Sequence, residues 1–142
     1  MNNLGIILPH IGASQLVEEV INSIQGKNCT LFIENIVQPY RKINFPIMNI
    51  SESIFFSGRL ISFSLFSAQY SLANLQNVSL EYYIYDLPWL RGYTDLISNN
   101  KILRNPNLKL FTRSDEYANL INKYTNKEVK VLQIGELING QT

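Results

Sequence analysis

Short apolar runs of strand length alternate with segments of helical period along this chain, and that alternation restricts its fold more than any single motif. Leu4-Gly5-Ile6-Ile7-Leu8 is a short apolar run closed by Pro9, the form of a strand buried on both faces. Ser14 then stands where a helix N-cap belongs. Leu16, Val17, Val20, Ile21 and Ile24 follow at helical spacing, Glu18 and Glu19 favour the positive end of the helix, and Gly26 closes it. Cys29–Ile33 is a second apolar run, so the chain opens β-α-β.

The middle carries weaker signals. Asn35–Phe45, with Pro39, Arg41 and Lys42 inside it, has no periodicity and reads as a long connection; Pro46 can open an extended piece through Ile50. Leu60–Phe63 is strand-like, and Leu65, Ala68, Leu72 and Leu75 then fall on one helix face. Ser79–Tyr85 is an aromatic strand. Tyr93–Leu103 reads as a helix ended by the turn Asn105-Pro106-Asn107, and Leu108–Thr112 as a strand. Ser114, Asp115 and Glu116 open the best amphipathic helix, with Tyr117, Leu120, Ile121 and Tyr124 on its apolar face; Val129–Ile134 is the last strand. Six strands alternating with four helices imply right-handed crossovers and a mostly parallel sheet. The expected fold is one α/β domain over residues 1–142, a three-layer Rossmann-like sandwich.

Composition narrows the function classes. The 142 residues are 46% hydrophobic and only 16% charged, with 12 basic and 11 acidic residues balanced in each half of the sequence. No basic field is expected to draw in a nucleic-acid backbone non-specifically. A single cysteine, Cys29, rules out an internal disulfide framework, and a single histidine, His10, argues against a histidine-rich metal centre. The N-terminal MNNLGIILPHIG has no basic n-region or small-residue cleavage site, and the apolar stretch Leu60–Leu75 is broken by serines and Gln69. A cytoplasmic protein without a membrane segment is expected. The 17 asparagines and 18 isoleucines both have AT-rich codons and reflect a genome bias more simply than a function.

In an open parallel sheet, ligands bind outside the carboxyl ends of the strands, so the motifs that follow strands carry the candidate chemistry. Pro9-His10-Ile11-Gly12-Ala13-Ser14 follows the first. Gly12 lets a backbone approach a ligand and His10 offers an acid, a base or a donor, although an ordinary turn with a surface histidine explains the same residues. With one glycine the segment is neither G-x-G-x-x-G nor a P-loop, so no nucleotide cofactor is expected, and no metal. Asp86-Leu87-Pro88-Trp89-Leu90-Arg91-Gly92 sets the only tryptophan between an acid and an arginine, suited to stacking on a sugar or base, or else to plugging the core with Asp86 and Arg91 paired. Arg113, at a strand end beside a helix start, could hold a phosphate or carboxylate, while Ser114 and Glu116 also have a capping role. The ligand-binding candidates are therefore His10, Gly12, Asp86, Trp89, Arg91, Arg113, Ser114 and Glu116. No nucleophile elbow is present, and Cys29 lies inside an apolar run.

The segments YYIYD, then LKLFTRSDEYANLI, then VKVLQIG resemble the end of the N-terminal domain of GT-B glycosyltransferases, and also a group of small tailed-phage proteins described as glycosyltransferase-like. The resemblance covers Ser79–Glu136, and Arg113, Ser114 and Glu116 match its pattern. It implies a nucleotide-sugar ligand. It also implies a second Rossmann-like domain holding most of that donor, and the chain ends at Thr142, where such a domain would begin. A glycosyltransferase-like phage protein lacking transferase activity of its own is the expectation, with a non-catalytic module engaging a host or phage protein as the alternative. Phe55, Phe56, Leu60, Phe63, Phe66 and Tyr70, with Arg59 as the one charge between Ile54 and Leu75, point to a homodimer through an apolar patch, or else to a segment filling the interior of an unusually apolar monomer.

Overall fold

A computed structural model describes residues 3–35, 45–87 and 96–140. Its elements, in chain order, are β1 (Leu4–Leu8), α1 (Gln15–Ser23), β2 (Thr30–Ile33), β3 (Ile47–Asn49), a 3-10 helix (Ile50–Phe55), β4 (Gly58–Ser62), α2 (Leu65–Asn74), β5 (Val78–Ile84), α3 (Leu96–Leu103), β6 (Leu108–Thr112), α4 (Asp115–Thr125), β7 (Val129–Val131) and α5 (Ile134–Ile138). The strands form one sheet in the order β3-β2-β1-β4-β5-β6-β7, and every neighbouring pair is parallel. The protein is thus an α/β sandwich of Rossmann-like form, its sheet parallel throughout.

Helices cover both faces of that sheet. α1 and α5 pack on one face, where Val17, Val20, Ile24 and Leu137 meet Ile6, Leu8, Ile61 and Tyr83. The 3-10 helix, α2, α3 and α4 pack on the other, where Ile50, Ala68, Leu103 and Ile121 meet Ile7, Leu60, Tyr82 and Leu110. Alternate residues of β1 therefore feed two cores, which is why its sequence is apolar without a break. Gly5 has no room for a side chain, since a Cβ would lie 2.9 Å from both Leu60 and Phe56.

Three expectations need correction. The sheet has seven strands rather than six, because Ile47–Asn49 pairs with β2 at its outer edge. The last strand ends at Val131, not Ile134. Gln133 and Glu136 form a capping box, the Gln133 N–H donating to Glu136 Oε1 at 2.8 Å, and the chain turns into α5 instead. The apolar stretch between Ile54 and Leu75 is divided. Leu60 and Phe63 are buried, whereas Phe55 is 86% and Phe66 58% exposed. Trp89, Arg91 and the first residues of the expected helix at Tyr93 lie outside the described residues. Among the described residues no helix is long and apolar enough to cross a membrane.

Candidate functional site

All strands run the same way, so their carboxyl ends and the starts of α1, α2 and α4 share one edge. The strand order reverses between β1 and β4, from which α1 and α2 leave to opposite faces. That divergence opens the crevice in which folds of this type hold ligands. Three serines mark the helix starts. Ser14, Ser64 and Ser114 have extended backbones, and their hydroxyls accept from the N–H groups of Val17, Ser67 and Tyr117 at 3.1, 3.0 and 3.2 Å.

Beside the crevice, Glu34 follows β2 directly. Its N–H donates to the Leu8 carbonyl at 3.0 Å, which fixes it next to the exit of β1. The Ser64 hydroxyl donates to Glu34 Oε2 at 2.7 Å. Behind it lies a buried hydroxyl group. Ser62 and Ser67 are both inaccessible, Ser62 donates to the Ser64 carbonyl at 2.9 Å, and the two hydroxyls contact each other. Burial raises the pKa of the Glu34 carboxyl, while the bond from Ser64 and the nearby His10 oppose that rise. His10 is half-buried on the β1 loop, and its Nδ1 accepts from the Gly12 N–H at 2.9 Å. A neutral His10 ring must therefore carry its proton on Nε2, where it can serve as a donor.

A second cluster lies across β4. Asp86 follows β5 and Arg113 follows β6, and the guanidinium donates to Asp86 Oδ1 at 3.2 Å. Its Cζ stands 4.1 Å from the centre of the Tyr85 ring and 5.7 Å from that of Tyr117. Tyr85 is tied in turn to α1, its hydroxyl donating to Glu19 Oε1 at 3.2 Å. Burial and the neighbouring Glu19 push the Tyr85 phenol up, so it remains a neutral donor. Arg113 is thus held by stacking and by one acid while 34% of its side chain stays exposed. That is a guanidinium preorganised for an anion.

The structure accordingly places His10, Gly12, Asp86 and Arg113 in loops at one edge. Ser114 is occupied as the α4 cap, and Glu116 is exposed in that helix's first turn, where its charge complements the backbone dipole. Trp89 and Arg91 are not among the described residues. Three contributors escaped the sequence reading: Glu34, Glu19 and the stacking role of Tyr85. Glu34 did leave a signal, being the first acid after the second strand and lying about 20 residues beyond Gly12, the interval at which folds of this type place a ribose-binding carboxylate. Cys29 is a buried free thiol, and among the described residues no group of histidine, cysteine, aspartate and glutamate is arranged to hold a metal. No family model, no curated protein and no solved structure matches this chain.

Proposed function

We propose that the protein is a glycosyltransferase-like binding module that holds a phosphate-bearing, polyhydroxylated ligand of the nucleotide-sugar class along the carboxyl edge of its sheet. The observation that carries this reading is the pair of unlike anchors on that edge. Glu34, poised to accept from hydroxyls, follows β2, and Arg113, poised to bind an anion, follows β6. Four strand spacings separate β2 from β6 in the sheet, about 19 Å at ~4.8 Å each. One monosaccharide does not reach both, whereas an extended nucleotide sugar brings hydroxyls to one end and phosphate toward the other. His10 and Gly12 lie between the anchors. The likeness of the Arg113-Ser114-x-Glu116 segment to GT-B glycosyltransferases supports the same ligand class.

Transfer is a separate matter. Among the described residues nothing closes over this edge, and a glycosyl group held there stays in contact with water unless another surface covers it. The purified chain is therefore expected to bind without turning over. Calorimetric titration with UDP- and GDP-sugars tests the first half, with Glu34→Gln and Arg113→Ala each weakening binding about tenfold, or ~1.4 kcal/mol. Absence of binding to any of them overturns the reading. Release of sugar or nucleotide by the wild-type chain, lost in Arg113→Ala, would overturn the claim that it does not act alone.

A further inference from the structure

The opposite, amino edge carries a groove that the described residues leave uncovered. On the face packed by α1 and α5, these two helices lie over the β1 side of the sheet, and Leu132 crosses back above β5, where its carbonyl accepts from the Tyr83 hydroxyl at 2.8 Å. Below that crossing, Glu81 of β5, Lys109 of β6 and Lys130 of β7 stand on neighbouring strands and line a depression of about 310 Å³. It adjoins a wider one of about 800 Å³ that shares Glu81 and Lys109 and reaches Lys27.

The charges in this groove do not cancel. Five cations line the two depressions against two carboxylates, Glu81 and Glu128, in a chain whose net charge is only +1. Glu81 is already spent, since both its oxygens accept from Arg59 at 2.9–3.1 Å and the same guanidinium donates to carbonyls at the end of α5. Lys127 is spent as well, its ammonium donating to the carbonyls of Leu103, Asn105 and Leu108. Lys27, Lys109 and Lys130 have no ion pair among the described residues, and Glu128 is the one carboxylate left to face them. Leu108 and Phe111 are buried beneath it, and Pro106 is the exposed apolar side chain of its lining. Ammonium groups without an ion pair, with one carboxylate among them, match the spaced carboxylates of an acidic peptide, whereas a continuous row of phosphates would meet Glu128. We propose that this groove docks an acidic segment of another protein chain.

The inference does not depend on the carboxyl-edge site and is tested apart from it. The probe is a short fluorescent peptide alternating glutamate and glycine, followed by anisotropy against the full chain. Binding is expected, weaker as salt rises, about tenfold or more weaker in Lys109→Glu/Lys130→Glu, and intermediate in Lys109→Gln/Lys130→Gln. Both lysines are exposed, so the variants are expected to melt like the parent. Glu34→Gln is expected to bind the peptide normally. Equal binding by parent and double variant overturns the proposal. So does tighter binding of a thymidine oligonucleotide than of the peptide, which would make the groove a phosphate site. A doubled mass in sedimentation that disappears in Lys109→Glu/Lys130→Glu would assign the groove to a second copy of this chain and overturn it too.

Discussion

Glu34 carries its charge at some cost to the fold. Burial lifts its carboxyl above the ordinary value of 4.5, so the folded chain holds this proton more tightly than the unfolded chain does. By linkage its stabilising contribution is present below that ordinary value and is lost as pH rises through the raised, folded value. Glu34→Gln is expected to remove this component. Urea unfolding across the mildly acidic range should show the parent losing stability relative to the variant as pH rises; parallel curves would refute it. Arg59 shows the opposite design, a cation that completes a buried acid. Arg59→Met strands Glu81, whose side chain is only 6% exposed, together with the carbonyls ending α5. A loss of about 3 kcal/mol is expected. Arg59→Met/Glu81→Met should recover part of it, because the orphaned charge is gone, and urea midpoints of the single and double variants measure the difference.

Elements here form where local chemistry and sheet register agree, and single backbone positions show how tightly. Gly58 opens β4 at a φ of +127°, a region that L residues avoid, and a Cβ there would lie 2.7 Å from the Asn3 carbonyl oxygen. Gly58→Ala is expected to cost about 2 kcal/mol, read as a lower thermal midpoint. The long periodic elements were legible in the sequence: β1-α1-β2 from an apolar run, a serine cap and a helical stripe, and β6-α4 by the same signs. The 3-10 helix and α5 were not. Both are too short to show a period, and each is marked only by a capping box, Asn49 with Glu52 and Gln133 with Glu136. The site divides in the same way. His10, Gly12, Asp86 and Arg113 could be found because they follow strands. Glu34 could not be paired with Ser64 in advance, since that contact joins residues thirty positions apart through the order β2-β1-β4. Nor does a tyrosine at a strand end announce that it will stack on an arginine from the next strand.

Among the described residues, charge follows the direction of the helices. Glu18, Glu52, Asp115, Glu116 and Glu136 occupy first turns, while Lys101 and Lys123 occupy last turns. The balance of charge along the sequence therefore conceals an ordering along the described helices, acids at their starts and lysines at their ends. Apolar surface is also uneven, since Phe55 and Phe66 stand out on the face of the 3-10 helix and α2. Self-association through these side chains is expected at micromolar concentration. Light scattering should give twice 16.3 kDa for the parent and the monomer mass for Phe55→Ser/Phe66→Ser, and a parent mass near 16.3 kDa would refute it. The central strand has a consequence of a different kind. β1 is made first, yet one of its neighbours is β4, with Gly5 opposite Leu60. A chain emerging from the ribosome must hold an apolar strand with one flank unpaired until more than fifty further residues have followed. Products truncated before β4 are thus bound to expose a bare, apolar strand edge, and to clump or be degraded rather than persist as folded fragments.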